Sequence, residues 1–165
     1  MNTKTSTKIK KREKSNDIFL TPITLSKKHI SLIDFKEDEI WLDPFRNSGN
    51  YFNHYPNNNK LWCEILDDKD FFNFNEKVDI ICSNPPYSII DKVLEKSREL
   101  NPRIISYLIG VNNLTTKRIE EMNKGGYGIT KLVMLKVWSW FGMSFIIVFE
   151  KGKENIIDID RQIYY

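Results

Sequence analysis

Apolar residues fall along this chain in two rhythms. Short runs rich in Ile, Val, Leu and Trp, at residues 39–42, 60–65, 78–82 and 103–109, are too brief for helices and too continuous to expose one face. They read as strands buried on both sides, as in a parallel sheet. Between the third and fourth, Ile89, Ile90, Val93, Leu94 and Leu100 recur at helical spacing against Asp91, Lys92, Glu95, Lys96 and Glu99. This predicts a helix over 88–100, with Ser88 as its cap and Asn101-Pro102 as its stop. Residues 24–33, with Pro22 near their start, and 115–123, closed by Gly125-Gly126, share that periodicity. Two further apolar runs, 129–138 and 144–151, flank Ser139-Trp140-Phe141-Gly142-Met143 and predict a terminal antiparallel hairpin. Strands alternating with helices, then a hairpin, specify a doubly wound α/β sheet, which binds ligands beyond the carboxyl ends of its strands. The first three runs end near Asp43, Glu64 and Asn84, so three polar groups are expected on one rim.

Composition narrows this picture. At 165 residues, 41% hydrophobic and 13% aromatic, the chain has material for one core and not for two ordinary domains. That domain is expected over 16–165, preceded by a disordered basic tail over 1–15 that carries Lys4, Lys8, Lys10, Lys11, Arg12 and Lys14. The net charge is +3, and its concentration in the tail suits a polyanionic partner as well as it suits a solvated tail or a localisation signal. No secretory signal or membrane-length apolar run is present, so a soluble, intracellular protein of cytoplasm or nucleus is expected, with no membrane partner. Cys63 and Cys82 sit inside apolar runs as core residues, and neither His29 nor His54 lies near them in sequence, so no metal site is expected.

The third run leads into Asn84-Pro85-Pro86-Tyr87. Two prolines stop a strand and stiffen a turn by themselves. They do not account for an amide before them and an aromatic ring after them. An exocyclic base amine is a poor nucleophile because its lone pair is delocalised into the ring. If the Asn84 side-chain carbonyl and the Pro85 backbone carbonyl accept its hydrogens, a pyramidal nitrogen with an available lone pair is favoured. Asn84 is then an orienter rather than a base, since an amide takes no proton at neutral pH. Tyr87 would stack on the ring, and a base within a duplex would first have to flip out.

This motif resembles the signature of the S-adenosylmethionine-dependent amino-methyltransferases, and of DNA N6-adenine methyltransferases among them. The resemblance implies a Rossmann-like, seven-stranded, mostly parallel sheet with a C-terminal antiparallel hairpin, and a catalytic loop of Asn84, Pro85, Pro86 and Tyr87. Other segments match the family in its order. Asp43-Pro44-Phe45-Arg46-Asn47-Ser48-Gly49-Asn50 looks like the glycine-rich loop beneath the cofactor's methionine, which implies cofactor contacts from Asp43, Pro44, Phe45, Ser48 and Gly49. Asn47 stands where the family usually has glycine, and asparagine is among the residues that tolerate a left-handed backbone. Glu64, followed by Ile65, matches the acid that binds the ribose hydroxyls. Asp70-Phe71 resembles the segment that contacts adenine, although a solvated loop with Phe71 and Phe72 plugged into the core reads equally well. Only 13 residues separate Ile65 from Asp79, so the second crossover is expected to be reduced. Upstream, Phe19, Thr21 and Pro22 look like the segment that closes over the methionine end.

No segment is free to be a separate target-recognition region. Specificity is expected from short loops, the tail, a second copy or a partner subunit, or is low. The resemblance thus implies an enzyme that methylates adenine N6 in DNA. Two alternatives stay open: the same loop acting on RNA (adenine N6 or guanine N2) or on protein glutamine, and a degenerate methyltransferase fold serving as a nucleic-acid-binding subunit. Trp138, Trp140 and Phe141 read mainly as an aromatic core turn, with one ring at the target-base pocket.

Overall fold

The computed structural model describes residues 20–139 and 141–163, and the expected tail and Phe19 lie outside them. Helix α1 (Ile23–Ser31) comes first, then strands β1 (Trp41–Asp43), β2 (Lys60–Trp62) and β3 (Ile80–Ser83). Helix α2 (Ile90–Glu99), β4 (Ile104–Gly110), α3 (Thr116–Lys124), β5 (Tyr127–Leu135) and β6 (Ser144–Lys151) follow. They form one six-stranded sheet in the order β2-β1-β3-β4-β6-β5. The first four strands pair in parallel, and β6 runs antiparallel to both β4 and β5.

Alternation along the strands divides the core. Trp41, Ile80, Cys82, Ile104 and Val148 pack with Ile30 and Ile33 from α1 and its C-terminal end. Leu42, Ile81, Ile105, Ile147 and Phe149 face the other way, towards Ile90 and Val93 of α2 and Ile119 and Met122 of α3. Helices therefore cover both faces, and every residue of β1, β3 and β4 is buried. Arg103 fastens the edge of this stack through two hydrogen bonds to Glu39 and one to Glu150. Both cysteines are free and buried.

Two expectations are corrected. The sheet has six strands, not seven, among the described residues: no strand forms between β2 and β3. That crossover has room only for two 3-10 turns, Ile65–Asp67 and Phe71–Asn73, each capped by a carboxylate, Glu64 and Asp70. Consequently β2 is the edge strand on that side of the sheet, with β5 at the other edge. Nor does Ser88 cap α2: a 3-10 turn, Tyr87–Ile89, intervenes, and the capping position falls to Ile89. By contrast, Thr115 accepts from the Arg118 amide and caps α3, and Asn101 ends α2 with a left-handed φ of 55°.

His29 of α1 is fully buried against the sheet, and burial lowers its pKa from 6.5 to about 3. The fold therefore holds it neutral while the unfolded chain protonates near 6.5, so its contribution is intact above that pH and is lost as pH falls. Urea unfolding of wild type and His29→Gln between pH 7.5 and 5 tests this. The stability gap should narrow by about 2 kcal/mol towards pH 5, whereas a pH-independent gap would rule out the titration.

Candidate functional site

The carboxyl ends of β1, β2 and β3 meet where the chain reverses its winding about β1. Here a cavity of about 360 Å³ opens, a size usual for small-molecule sites. Its floor is the loop after β1, with Phe45, Arg46, Asn47, Ser48, Asn50 and Tyr51. Glu64, Ile65 and Leu66 wall one side, Asn84 and Pro86 another, and Leu20 and Thr21 a third.

Asp43 organises that loop from beneath. Its carboxylate is fully buried and accepts from the Ser83 hydroxyl at 2.7 Å and from the Phe45 and Phe52 amides at 3.3 Å each. Burial raises its pKa to about 6, and these hydrogen bonds oppose the rise. Both ends of the loop and the residue before Asn84 are thereby tied to one group. Within the loop Asn47 has φ 44° and Gly49 φ 82°. Asn47 thus adopts the left-handed conformation that its position needs. Gly49 is required by its backbone, since side-chain-bearing residues rarely adopt a φ of 82°.

Asn47 donates its amide to Glu64 Oε2 at 2.8 Å, while Leu66 donates to Oε1 at 3.2 Å. Each Glu64 oxygen has one backbone donor and keeps lone-pair capacity towards the cavity. Ile65 and Leu66 stand 70% and 79% exposed beside it, an apolar surface that the fold itself does not bury. Arg46 crosses the loop with its guanidinium carbon 4.5 Å from the Trp62 ring centroid and Nη1 3.8 Å from Asp67.

Of the residues implied by resemblance, Thr21, Phe45, Ser48, Glu64, Ile65, Asn84 and Pro86 line this cavity. Others lie behind or beside it. Pro22 is the capping residue of α1, and its carbonyl accepts from Leu25 and Ser26. Asp43, Pro44 and Gly49 are buried under the loop, and Pro85 is buried between Asn84 and Pro86. Asp70 caps its own turn through the Phe72 amide, and Phe71 is 2% exposed and packs edge-on against Phe45 at 5.4 Å. The Asp70-Phe71 segment therefore supports the floor from the core side. Tyr87 donates to the Leu108 carbonyl at 3.3 Å and packs against Phe141 at 6.2 Å, with Trp138 edge-on to Phe141 at 5.8 Å. Sequence reasoning assigned no cofactor contact to Arg46, Asn50, Tyr51 or Leu66. Their signal is position: Arg46, Asn50 and Tyr51 lie in the loop that the Asp-Pro-Phe turn opens, and Leu66 follows Ile65 directly after Glu64.

No family model matches the sequence, and no curated protein matches it. Solved structures match its backbone. A methyltransferase from Pyrococcus furiosus superposes with a TM-score of 0.60 at 16% identity, over 82% of this chain and 85% of that one. A candidate RNA methyltransferase, PH1948, from Pyrococcus horikoshii gives 0.62 at 17%, over 78% and 81%. This is the methyltransferase fold. The magnesium protoporphyrin IX methyltransferase of Synechocystis, solved with S-adenosylmethionine bound, shares the methyltransferase fold at TM-score 0.55 and 9% identity, over 78% and 77% of the two chains. The loop after β1 and the acid after β2 are joined directly by the bond from Asn47 to Glu64.

That bond depends on the Asn47 backbone conformation. Asn47→Gly should unfold within about 0.5 kcal/mol of wild type, while the β-branched Asn47→Val should lose about 1–2 kcal/mol. Thermal unfolding measures both, and equal behaviour of the two variants would contradict the left-handed assignment.

Proposed function

We propose that this chain binds S-adenosylmethionine and methylates the N6 amine of adenine in DNA. The observation that carries the reading is that Glu64, the left-handed Asn47 loop and Asn84 line one cavity at the carboxyl rim of the sheet. Two Glu64 oxygens with spare acceptor capacity suit a ribose diol. The exposed Ile65-Leu66 pair suits the face of an adenine ring. Bound there, the cofactor supplies a methyl group already activated on a sulfonium.

The chain's own part is then positioning. Asn84 follows Ser83, which Asp43 anchors, and Pro85 and Pro86 leave the turn little freedom. The Asn84 amide oxygen and the Pro85 carbonyl hold the acceptor amine by its hydrogens, and the proton released from nitrogen passes to solvent, since neither group is a base. Tyr87, at the end of this turn, offers its ring to the target base. Asn47, the departure from the family pattern that favours a degenerate binding subunit, keeps the backbone shape that a cofactor loop needs, which supports the catalytic reading.

RNA is the second acceptor to consider, because PH1948 is a candidate RNA methyltransferase. One assay separates the acceptors: tritiated S-adenosylmethionine with adenine-containing DNA, RNA of matching sequence, and a glutamine-containing protein. DNA should be labelled most, and Asn84→Ala should lower the rate by about two to three orders of magnitude, the usual cost of removing a transition-state hydrogen bond. Labelling confined to RNA would transfer the function there, and equal labelling by wild type and Asn84→Ala would refute the role of Asn84.

A further inference from the structure

Strand β3 stops at Ser83, but its neighbour β4, in register with it at Tyr107, runs on to Gly110. Three more residues at about 3.3 Å each carry β4 roughly 10 Å past the end of β3. The 3-10 turn that follows, Val111–Asn113, therefore stands above the carboxyl rim, on the far side of β3 from β1 and β2. Arg118 of α3 fixes it there. Its Nη1 donates to the Asn113 carbonyl at 2.8 Å, and its Nε and Nη2 donate to Asp91 of α2 at 2.7 and 3.0 Å. The turn is thus tied to the helix that follows Tyr87.

The fold does not consume the Asn113 side chain. Thr115 caps α3, so Asn113 is not needed as a cap. No hydrogen bond among the described residues uses the Asn113 side-chain amide, although the residue is half-buried. That amide nevertheless has a defined place. A Cβ on Gly110 would lie 3.3 Å from Asn113 Nδ2 and 3.3 Å from the Phe141 ring, so amide and ring stand together over the bare backbone of Gly110. The Phe141 ring also packs against Tyr87 at 6.2 Å. Outward from Asn84 the rim therefore carries one amide, two aromatic rings and a second amide.

We infer that Asn113 is a specificity-determining residue that reads the acceptor base. With the amine held at Asn84 and the ring beside Tyr87 and Phe141, Asn113 Nδ2 donates to a ring nitrogen on the edge that carries the amine, N1 or N7 of adenine. A base with C–H at that place leaves the amide unpaired and is disfavoured, because a half-buried donor loses its partner on binding. The inference rests on the proposed methylation of adenine N6. It goes beyond that reading by assigning the choice of base to a residue that belongs to none of the segments carrying the family resemblance.

Methylation kinetics test this on oligonucleotides in which every adenine is left as it is or replaced by 1-deazaadenine or 7-deazaadenine. Both analogues keep the N6 amine and exchange one ring nitrogen for C–H. Wild type should lose about tenfold in kcat/KM on one of them, the scale of an unpaired hydrogen-bond donor. Asn113→Leu should lose about as much on adenine itself and suffer no further loss with that analogue. Asn113→Asp, which keeps the shape and lacks the donor, should behave alike and keeps the test open if Asn113→Leu disturbs the turn. Calorimetry should show S-adenosylhomocysteine binding both variants as it binds wild type, since Asn113 is not part of the cofactor cavity. Wild type that accepts both analogues as readily as adenine, or a penalty that persists undiminished in both variants, would overturn the role of Asn113 alone. Wild type that methylates none of the three oligonucleotides would overturn the N6 reading on which it rests.

Discussion

The carboxylate of Asp43 is the constraint on which the rest of this molecule depends. It is fully buried at the end of β1, where an unpartnered charge would cost several kcal/mol, and it is held by the Ser83 hydroxyl and two amides from opposite ends of the loop. Its pKa, raised to about 6 by burial, still leaves it mainly ionised at neutral pH and thus a strong acceptor. Because Ser83 precedes Asn84, the same group fixes the loop that floors the cavity and the turn that carries the proposed catalytic amide. Removing Asp43 would leave three donors to find partners inside a dry interior.

A second constraint follows from economy. With 13 residues between Ile65 and Asp79 there is no length for a helix and a strand, and the chain crosses instead in two 3-10 turns. Turns this short contribute little by themselves and are held by local devices: the carboxylates of Glu64 and Asp70 as caps, and Phe71 as a plug against Phe45. Glu64 serves both economy and site, since it caps its turn and receives the Asn47 amide across the cavity. The short crossover therefore leaves the two loops that line the cavity joined.

Continuous apolar runs and helical periodicity disclosed all six strands and three helices, because burial on both faces leaves a strong pattern. The seventh strand was an import from the family, and the length of the crossover contradicted it. Ser88 misled because a capping residue type is visible in sequence, whereas the 3-10 turn that displaces it is not. The rim was legible through Asp43, Glu64 and Asn84, yet which of them faces the cavity was not: an acid at a strand end has the same letter whether it meets ligand, like Glu64, or anchors backbone, like Asp43. His29 and Ser106 carry no motif at all. Their partners are 22 and 77 residues from His29 in sequence, and only the packing of α1 on the sheet brings them together.

Three segments distant in sequence, 45–51, 64–66 and 84–86, thus line one cavity, and the account stands on their acting together. Amide hydrogen exchange with and without S-adenosylhomocysteine tests this most directly. Added ligand should slow exchange in all three segments at once, with the far ends of the strands unchanged. Protection confined to one segment, or lying away from the carboxyl rim, would contradict it.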